Sequence, residues 1–267
     1  MKTLGIIGSG NMATAILGGI LNAGLVKAND VTISDLNKAA LDKVKADYGV
    51  NTTTDSAEVV KNSDVIIIAL KPNVVELVLG QVKEYIDTNK IIVSIAAGKT
   101  IASLEDAIGS DKKVVRTMPN TPALVGEGMA ALSKNKNVTD EELQEIKSLF
   151  ESFGQAEIIN EYLMDAVIGV GGSAPAYVFM FIEAMADGAV VAGMPRAQAY
   201  KFAAQSVLGS AKMVLETGRH PGDLKDMVCS PAGTSIEAVK VLEDEGFRSA
   251  VIKAVVASVE KSVEMSK

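Results

Sequence analysis

Leu4-Gly5-Ile6-Ile7-Gly8-Ser9-Gly10-Asn11-Met12-Ala13 decides how this chain folds. An apolar run ends in Gly8, a second glycine follows at Gly10, and Ala13 comes next at small-residue spacing. Ala13, Ile16, Leu17, Ile20 and Leu21 then recur at helical intervals, and Gly24 stands where a left-handed helix stop is wanted. The pattern predicts strand, tight glycine turn and helix, which together receive the pyrophosphate of a dinucleotide. Gly8 permits the sharp turn, Gly10 lets backbone approach the phosphates, and Ala13 keeps the helix close to the strand. Asn11 and Met12 open that helix, whose free N–H groups and positive dipole end attract an anion. The bare string also occurs in purely structural turns. Its place between a first strand and an amphipathic helix gives it weight.

Working outward, Val31 to Ser34 reads as a second strand ending at Asp35. An acidic residue there accepts hydrogen bonds from the adenosine ribose, which favours NAD over NADP. Two other readings stay open: Ser34, Asn37 and Lys38 hold a 2′-phosphate, or Asp35 merely caps the next helix. That helix turns Ala40, Leu41 and Val44 inward and stops near Gly49. Asp55-Ser56-Ala57-Glu58 has capping-box form. Val65 to Leu70 is a fully apolar run of the kind buried on both faces in a parallel sheet, broken at Lys71-Pro72. Lys71 there either faces the pyrophosphate or is a solvated turn lysine. Ile91 to Ile95 is another buried strand, and the small residues Ala96, Ala97 and Gly98 after it let a cofactor lie flat against backbone. After Val114-Val115, the prolines of Met118-Pro119-Asn120-Thr121-Pro122 predict a rigid extended loop suited to a nicotinamide. Met129 to Leu132 and Glu157 to Ile159 read as strands. Between them Thr139 caps a helix carrying Leu143, Ile146, Phe150 and Phe153.

Beyond Asn160 the strands cease and helices follow, so a domain boundary is expected at Asn160–Tyr162. The expected architecture is α/β, with a Rossmann-like dinucleotide-binding domain over 1–160 and an all-α domain over 161–267. Ala166 to Ile182 carries no charge, but its glycines and Pro175, with Glu183 and Asp187 close behind, favour a buried helix pair over a membrane span. Ala184, Ala186, Gly188, Ala189 and Ala192 permit close helix approach, and helices this apolar need a partner subunit. The 267 residues carry a net charge of −7 with no basic run, so nucleic acid and anionic membranes are poor partners. A single cysteine, Cys229, and the lack of a signal-peptide pattern fit a reducing cytoplasm.

The last informative stretch is Val228-Cys229-Ser230-Pro231-Ala232-Gly233-Thr234-Ser235-Ile236-Glu237. Thr234 and Glu237 have capping-box spacing, predicting a helix whose first N–H groups lie beside the hydroxyls of Ser230, Thr234 and Ser235. Such a nest suits a small carboxylate, with an ordinary helix cap as the alternative.

The chain resembles the pyrroline-5-carboxylate reductases along essentially its whole length. The resemblance rests on Gly8 to Ala13, Ala69-Leu70-Lys71-Pro72, Met118 to Pro122, Ser173-Ala174-Pro175-Ala176-Tyr177, and above all His220 to Asp226 running into Ser230 to Ser235. It implies hydride transfer from NADPH or NADH to the C=N carbon of Δ1-pyrroline-5-carboxylate, giving proline. It also implies that the Val228 to Ser235 loop, with Val228, Ser230, Ala232, Gly233, Thr234 and Ser235, binds the substrate. Ser235, with Thr234 and Ser230, is then nearest the reacting imine. Gly8, Gly10, Asn11, Met12, Ser34, Asp35, Ala69 to Pro72, Ala96, Ala97 and Asn120 are left to hold the cofactor. The family further implies a homodimer through the helical domain, and a ring of dimers beyond it. No metal is implied. His220 and Cys229 are expected to be structural, and Tyr177 to pack.

Two departures stand out. Ala232 and Ser235 replace a glycine and a threonine common in the family's loop, and Ala232 tolerates positive φ less readily than glycine. Asp35-Leu36 stands where relatives often carry a small polar residue and an arginine, which favours NADH. The competing readings are another two-domain dehydrogenase of the β-hydroxyacid or 6-phosphogluconate type, using Lys201 or Lys212, and a non-catalytic dinucleotide sensor.

Overall fold

The structure, a computed structural model, describes residues 3–266. Its first part alternates strand and helix: β1 Leu4–Ile7, α1 Asn11–Asn22, β2 Val31–Ser34, α2 Lys38–Tyr48, β3 Asn51–Thr53, α3 Ser56–Lys61, β4 Val65–Ile68, α4 Pro72–Val82, β5 Ile91–Ser94, α5 Ile101–Ile108, β6 Lys113–Met118, β7 Gly128–Lys134, α6 Asp140–Glu151 and β8 Gly154–Ile158. Helices then take over: α7 Met164–Val167, α8 Ala174–Val191, α9 Arg196–Thr217, α10 Pro221–Val228, α11 Thr234–Asp244 and α12 Phe247–Met265.

The strands form one sheet in the order β3-β2-β1-β4-β5-β6-β7-β8. All neighbours are parallel except β6 and β7. The central strands β1, β4 and β5 are buried at every position because both faces are covered. Leu4, Ile6, Val65, Ile67, Ile91 and Val93 point into a core shared with Ile16 and Leu17 of α1, Leu41 of α2, and Ile146 and Phe150 of α6. Ile7, Ile66, Ile68 and Ile92 point the other way, onto Val59, Val75, Leu79 and Leu104. Because the chain crosses from β1 to β2 on one side and β4 lies on the other, a crevice opens at the carboxyl ends of β1 and β4. Ligands of open α/β sheets bind in such a crevice.

Several local expectations are corrected. β3 has no counterpart in the sequence reading: it is a short polar edge strand, paired only with β2, so no apolar run announces it. The Asp55 box is half made. Asp55 accepts from the Ala57 N–H at 2.8 Å, but its own N–H goes to the Thr53 hydroxyl, and Glu58 bonds that hydroxyl at 2.6 Å. The Thr139–Glu142 box is complete in both directions. The Pro119–Pro122 stretch is extended only as far as Asn120, and Thr121–Val125 winds into a 3-10 turn with Pro122 in its first turn.

By contacts the described residues divide into two compact units, residues 3–173 with 258–266, and residues 174–257. The contact division thus places 161–173 with the sheet, whereas strand periodicity ends at Asn160. Within the second unit α8 and α9 meet through Ala186, Ala199 and Ala203, small side chains that let the helices approach closely. The reading of Ala166–Ile182 as a buried helix pair is corrected. The stretch runs from α7 through a π-helical turn, Ile168–Gly172, into α8, and Val170, Phe179 and Met180 stand exposed on the single chain. By length and composition alone, Glu161–Val191 is long and apolar enough to cross a membrane.

Candidate active site

Gly8 and Gly10 serve different ends. Gly8 has φ +103°, and a Cβ there meets the Ala69 carbonyl oxygen at 2.3 Å, so packing of β1 against the end of β4 requires glycine. Gly10 precedes α1 in extended conformation, and a Cβ there meets nothing within 4 Å. The space beside it is open. No side chain caps α1 and its first turn holds no acid, so the N–H groups of Asn11, Met12 and Ala13 face that space with a positive dipole end. Ala13 is buried against the sheet, as its role in close packing requires.

At the end of β2, Asp35 does not cap α2; Asn37 does, accepting from the Ala40 N–H at 3.2 Å. Asp35 instead ties the glycine turn down. Its Oδ2 accepts from the Ser9 N–H at 2.8 Å and the Ser9 hydroxyl at 2.7 Å, and its Oδ1 accepts from the Asn37 N–H at 2.9 Å. Partial burial pushes its pKa up, but the hydrogen bonds from Asn37, Ser9 and Leu36 outweigh burial and hold it below the ordinary carboxylate value. Ser34 is buried, its hydroxyl 3.2 Å from that of Ser56. Ser56 was not singled out from the sequence, where it reads only as the first residue of a capped helix.

A cleft of about 370 Å³ joins the predicted cofactor residues Gly10, Met12, Ala69, Leu70, Lys71, Pro72, Ala96, Ala97 and Asn120. Ala13, Ile95, Met118, Pro119, Thr121 and Gly172 complete its lining. Gly172 belongs to the π-helical turn, which only the folded chain reveals, and a Cβ on it would meet the Met118 methyl at 2.7 Å. Gly8, Asn11, Ser34 and Asp35 flank the cleft along the β1 and β2 ends rather than lining it. Lys71 is exposed just before α4, with no carboxylate partner among the described residues. Both ends of the Asn120 side-chain amide are engaged: Nδ2 donates to the Gly171 carbonyl at 3.1 Å and Oδ1 accepts from the Met129 N–H at 2.9 Å. It pins the cleft wall between β7 and the π turn. A larger hollow, about 630 Å³ and lined by Leu4, Val26, Asp64 and Glu145, opens at the opposite edge of the strands, away from the glycine turn.

The Val228–Ser235 segment leads into a second helix start without a side-chain cap. The Gly233 N–H donates to the Ser230 carbonyl at 3.0 Å, closing a tight turn with Ala232 at φ +55°, the only non-glycine residue with positive φ among those described. A Cβ on Gly233 would lie 2.4 Å from the Ser230 hydroxyl, so a side chain there would require that hydroxyl to move. The expected Thr234 cap is corrected: α11 starts one residue earlier, with Gly233 as its uncapped N-terminal neighbour. The first-turn N–H groups of Thr234, Ser235 and Ile236 are therefore available, beside the exposed Ser230 and Thr234 hydroxyls and half-buried Ser235. Val228 ends α10 exposed, Cys229 follows half-buried, and His220 caps α10 by accepting from the Gly222 N–H at 3.0 Å. Lys201 and Lys212 lie exposed on α9, Lys212 paired with Glu216 at 3.4 Å, and neither has the setting of an acid–base residue.

A doubly wound sheet, a glycine turn opening onto a cleft and a helical C-terminal region define a nicotinamide-dinucleotide oxidoreductase of the Rossmann type. Residues 3–98 match the family model described as NADP oxidoreductase, coenzyme F420-dependent, and residues 161–265 match that of pyrroline-5-carboxylate reductase dimerisation. The chain is 51% identical over 266 residues to the pyrroline-5-carboxylate reductase of Escherichia coli (strain K12), covering 100% of this chain and 99% of that one. A pyrroline carboxylate reductase of Plasmodium falciparum, solved with NADP bound, superposes with TM-score 0.91 at 33% identity, over 100% of this chain and 98% of that one. The corresponding reductase of Coxiella burnetii gives TM-score 0.93 at 33% identity, over 100% and 99%. This chain belongs to the pyrroline-5-carboxylate reductase family. Its exposed apolar helices are the family's dimerisation domain, and the protein is a homo-oligomer.

Proposed function

We propose that the chain reduces the C=N bond of Δ1-pyrroline-5-carboxylate to give L-proline. A bound NADH or NADPH supplies the hydride. The open α1 terminus and the unfilled space at Gly10 hold the pyrophosphate, while Ala96, Ala97 and the Asn120-pinned wall bound the nicotinamide end. The Val228–Ser235 turn, with the N–H groups of Thr234, Ser235 and Ile236, binds the ring carboxylate, and Ser235 lies nearest the imine nitrogen, which gains the proton. An iminium is already electrophilic. Holding its carbon about 3–3.5 Å from the hydride donor supplies much of the rate without a strong acid or base. That accords with two helix starts that carry no side-chain cap, at α1 and α11.

The single observation that carries this reading is the uncapped, hydroxyl-rich start of α11 in a chain of this family. Residues 1–160 serve as the dinucleotide domain and 161–267 as the substrate and dimerisation domain, in a cytoplasmic homodimer whose contact lies on α8, α9 and α12. A ring of such dimers is the larger assembly. Following oxidation of NADH and NADPH in parallel with pyrroline-5-carboxylate tests the reaction, and no turnover with either overturns it. Ser235→Ala is expected to raise KM or lower kcat by about tenfold, the loss of one hydrogen bond to a charged group. Unchanged kinetics remove Ser235 from the site.

A further inference from the structure

We propose that Asp35 makes this protein NADH-preferring: its carboxylate, clamped by Ser9 and Asn37, keeps one position for a ribose hydroxyl and rejects a 2′-phosphate. The proposal rests on the dinucleotide reading of the Gly8–Ala13 turn and deepens it. A carboxylate offers about four lone-pair positions. Both on Oδ2 go to the Ser9 N–H and hydroxyl, and one on Oδ1 goes to the Asn37 N–H. The remaining position suits a single O–H donor. A phosphate dianion brings only acceptors and negative charge to it.

Asp35 has no inexpensive way to avoid that encounter. Swinging aside would leave the N–H and hydroxyl of Ser9 without their partner, and Ser9 is only 7% exposed. Taking up a proton is opposed by the same hydrogen bonds, which hold the group ionised at neutral pH. The surroundings add to the repulsion. Segments 34–38 and 53–58 meet where the Asp35 N–H donates to the Thr53 carbonyl at 3.4 Å and the Ser34 and Ser56 hydroxyls pair at 3.2 Å. Together they carry Asp35, Asp55 and Glu58 against Lys38. Next to Asp35 stands Leu36, 91% exposed, an apolar side chain where recognition of a phosphate calls for a charged donor.

Isothermal titration calorimetry of NADH and NADPH into the purified full-length protein, with no substrate present, tests this. The expected result is that NADH binds at least about tenfold more tightly. Asp35→Asn, which keeps the shape and removes the charge, is expected to cut that ratio at least about tenfold, chiefly by tightening NADPH. Ser9→Ala keeps the carboxylate and is expected to weaken both dinucleotides while the protein still favours NADH. Tighter NADPH binding by the unsubstituted protein overturns the proposal without recourse to any variant. So does an Asp35→Asn protein whose two affinities change by the same factor. A protein that favours NADH yet fails to reduce the imine supports the role of Asp35 and defeats the reductase reading alone.

Discussion

The sheet-bearing unit and the helical unit are both rich in apolar side chains, and they dispose of them in opposite ways. Ile6, Ile67 and Phe150 are 0% exposed, whereas Phe179 is 63% and Phe202 66% exposed on the single chain. In the first unit two helical layers close over a sheet, and every central strand position finds a neighbour. In the second, the buried contact between α8 and α9 is made by alanines, too small to use up the surface of the helices. Leaving a Phe in water forgoes roughly 1.5–3 kcal/mol. A unit that displays several such side chains has its missing core on another copy, as the family's dimerisation domain does. The sheet unit thus completes itself, and the helical unit is completed by association.

Phe179→Asp with Phe202→Asp gives that contrast its hardest trial. Two Phe lost from each of two subunits forgo roughly 6–12 kcal/mol of burial, before the cost of charge at the contact. Sedimentation is expected to show monomers at micromolar concentration. An unchanged mass breaks the comparison, because these faces then do not meet a second copy. Within the self-contained unit, Gly8→Ala is expected to destabilise by about 3 kcal/mol or more, from positive φ and the clash with Ala69. Gly10→Ala is expected to leave thermal stability nearly unchanged while weakening dinucleotide binding at least about tenfold, through loss of close backbone approach. Equal stability losses in the two variants erase the division between a glycine required by packing and one required by a ligand.

What the sequence reveals follows the same division. β1, β4 and β5 are legible because burial on both faces leaves mostly apolar runs at Leu4–Ile7, Val65–Ile68 and Ile91–Ser94. β3 is silent because an edge strand such as Asn51–Thr53 needs no apolar face. The glycine turn is readable since its constraints lie within six residues. Gly172 and the pinning role of Asn120 are not, because Asn120 reaches the π turn, at Gly171, across 51 positions of sequence. The exposure of Phe179 and Met180 contradicts the burial expectation, because apolar composition alone does not say whether the covering surface belongs to the same chain.

The helical unit's turn at Ala232 offers a smaller test. An L-residue in the left-handed region costs about 1–2 kcal/mol, partly offset by the extra unfolded-state freedom that glycine brings. Ala232→Gly is therefore expected to stabilise by about 0.5–1 kcal/mol, read as a rise in Tm at fixed protein concentration. A fall in Tm shows that Ala232 makes a contact worth more than its strain.

The smallest effect concerns the tie between Asp35 and Ser9, by which the sheet unit holds its site with bonds of its own chain. Folding lowers the Asp35 pKa from an unfolded value of about 3.9. The stabilisation this represents is present in full above the unfolded pKa and is lost as pH falls through the folded one. Because Asp35 is partly exposed, the gain is expected to be below about 1 kcal/mol. Comparing the unsubstituted protein with Asp35→Asn should therefore show the larger Tm advantage of the acid at pH 6, shrinking as the pH falls below the ordinary carboxylate range. An advantage that persists in acid would mean that shape, not charge, ties Asp35 to the glycine turn. The electrostatic case against a 2′-phosphate would then lose its footing, even with the clamp intact.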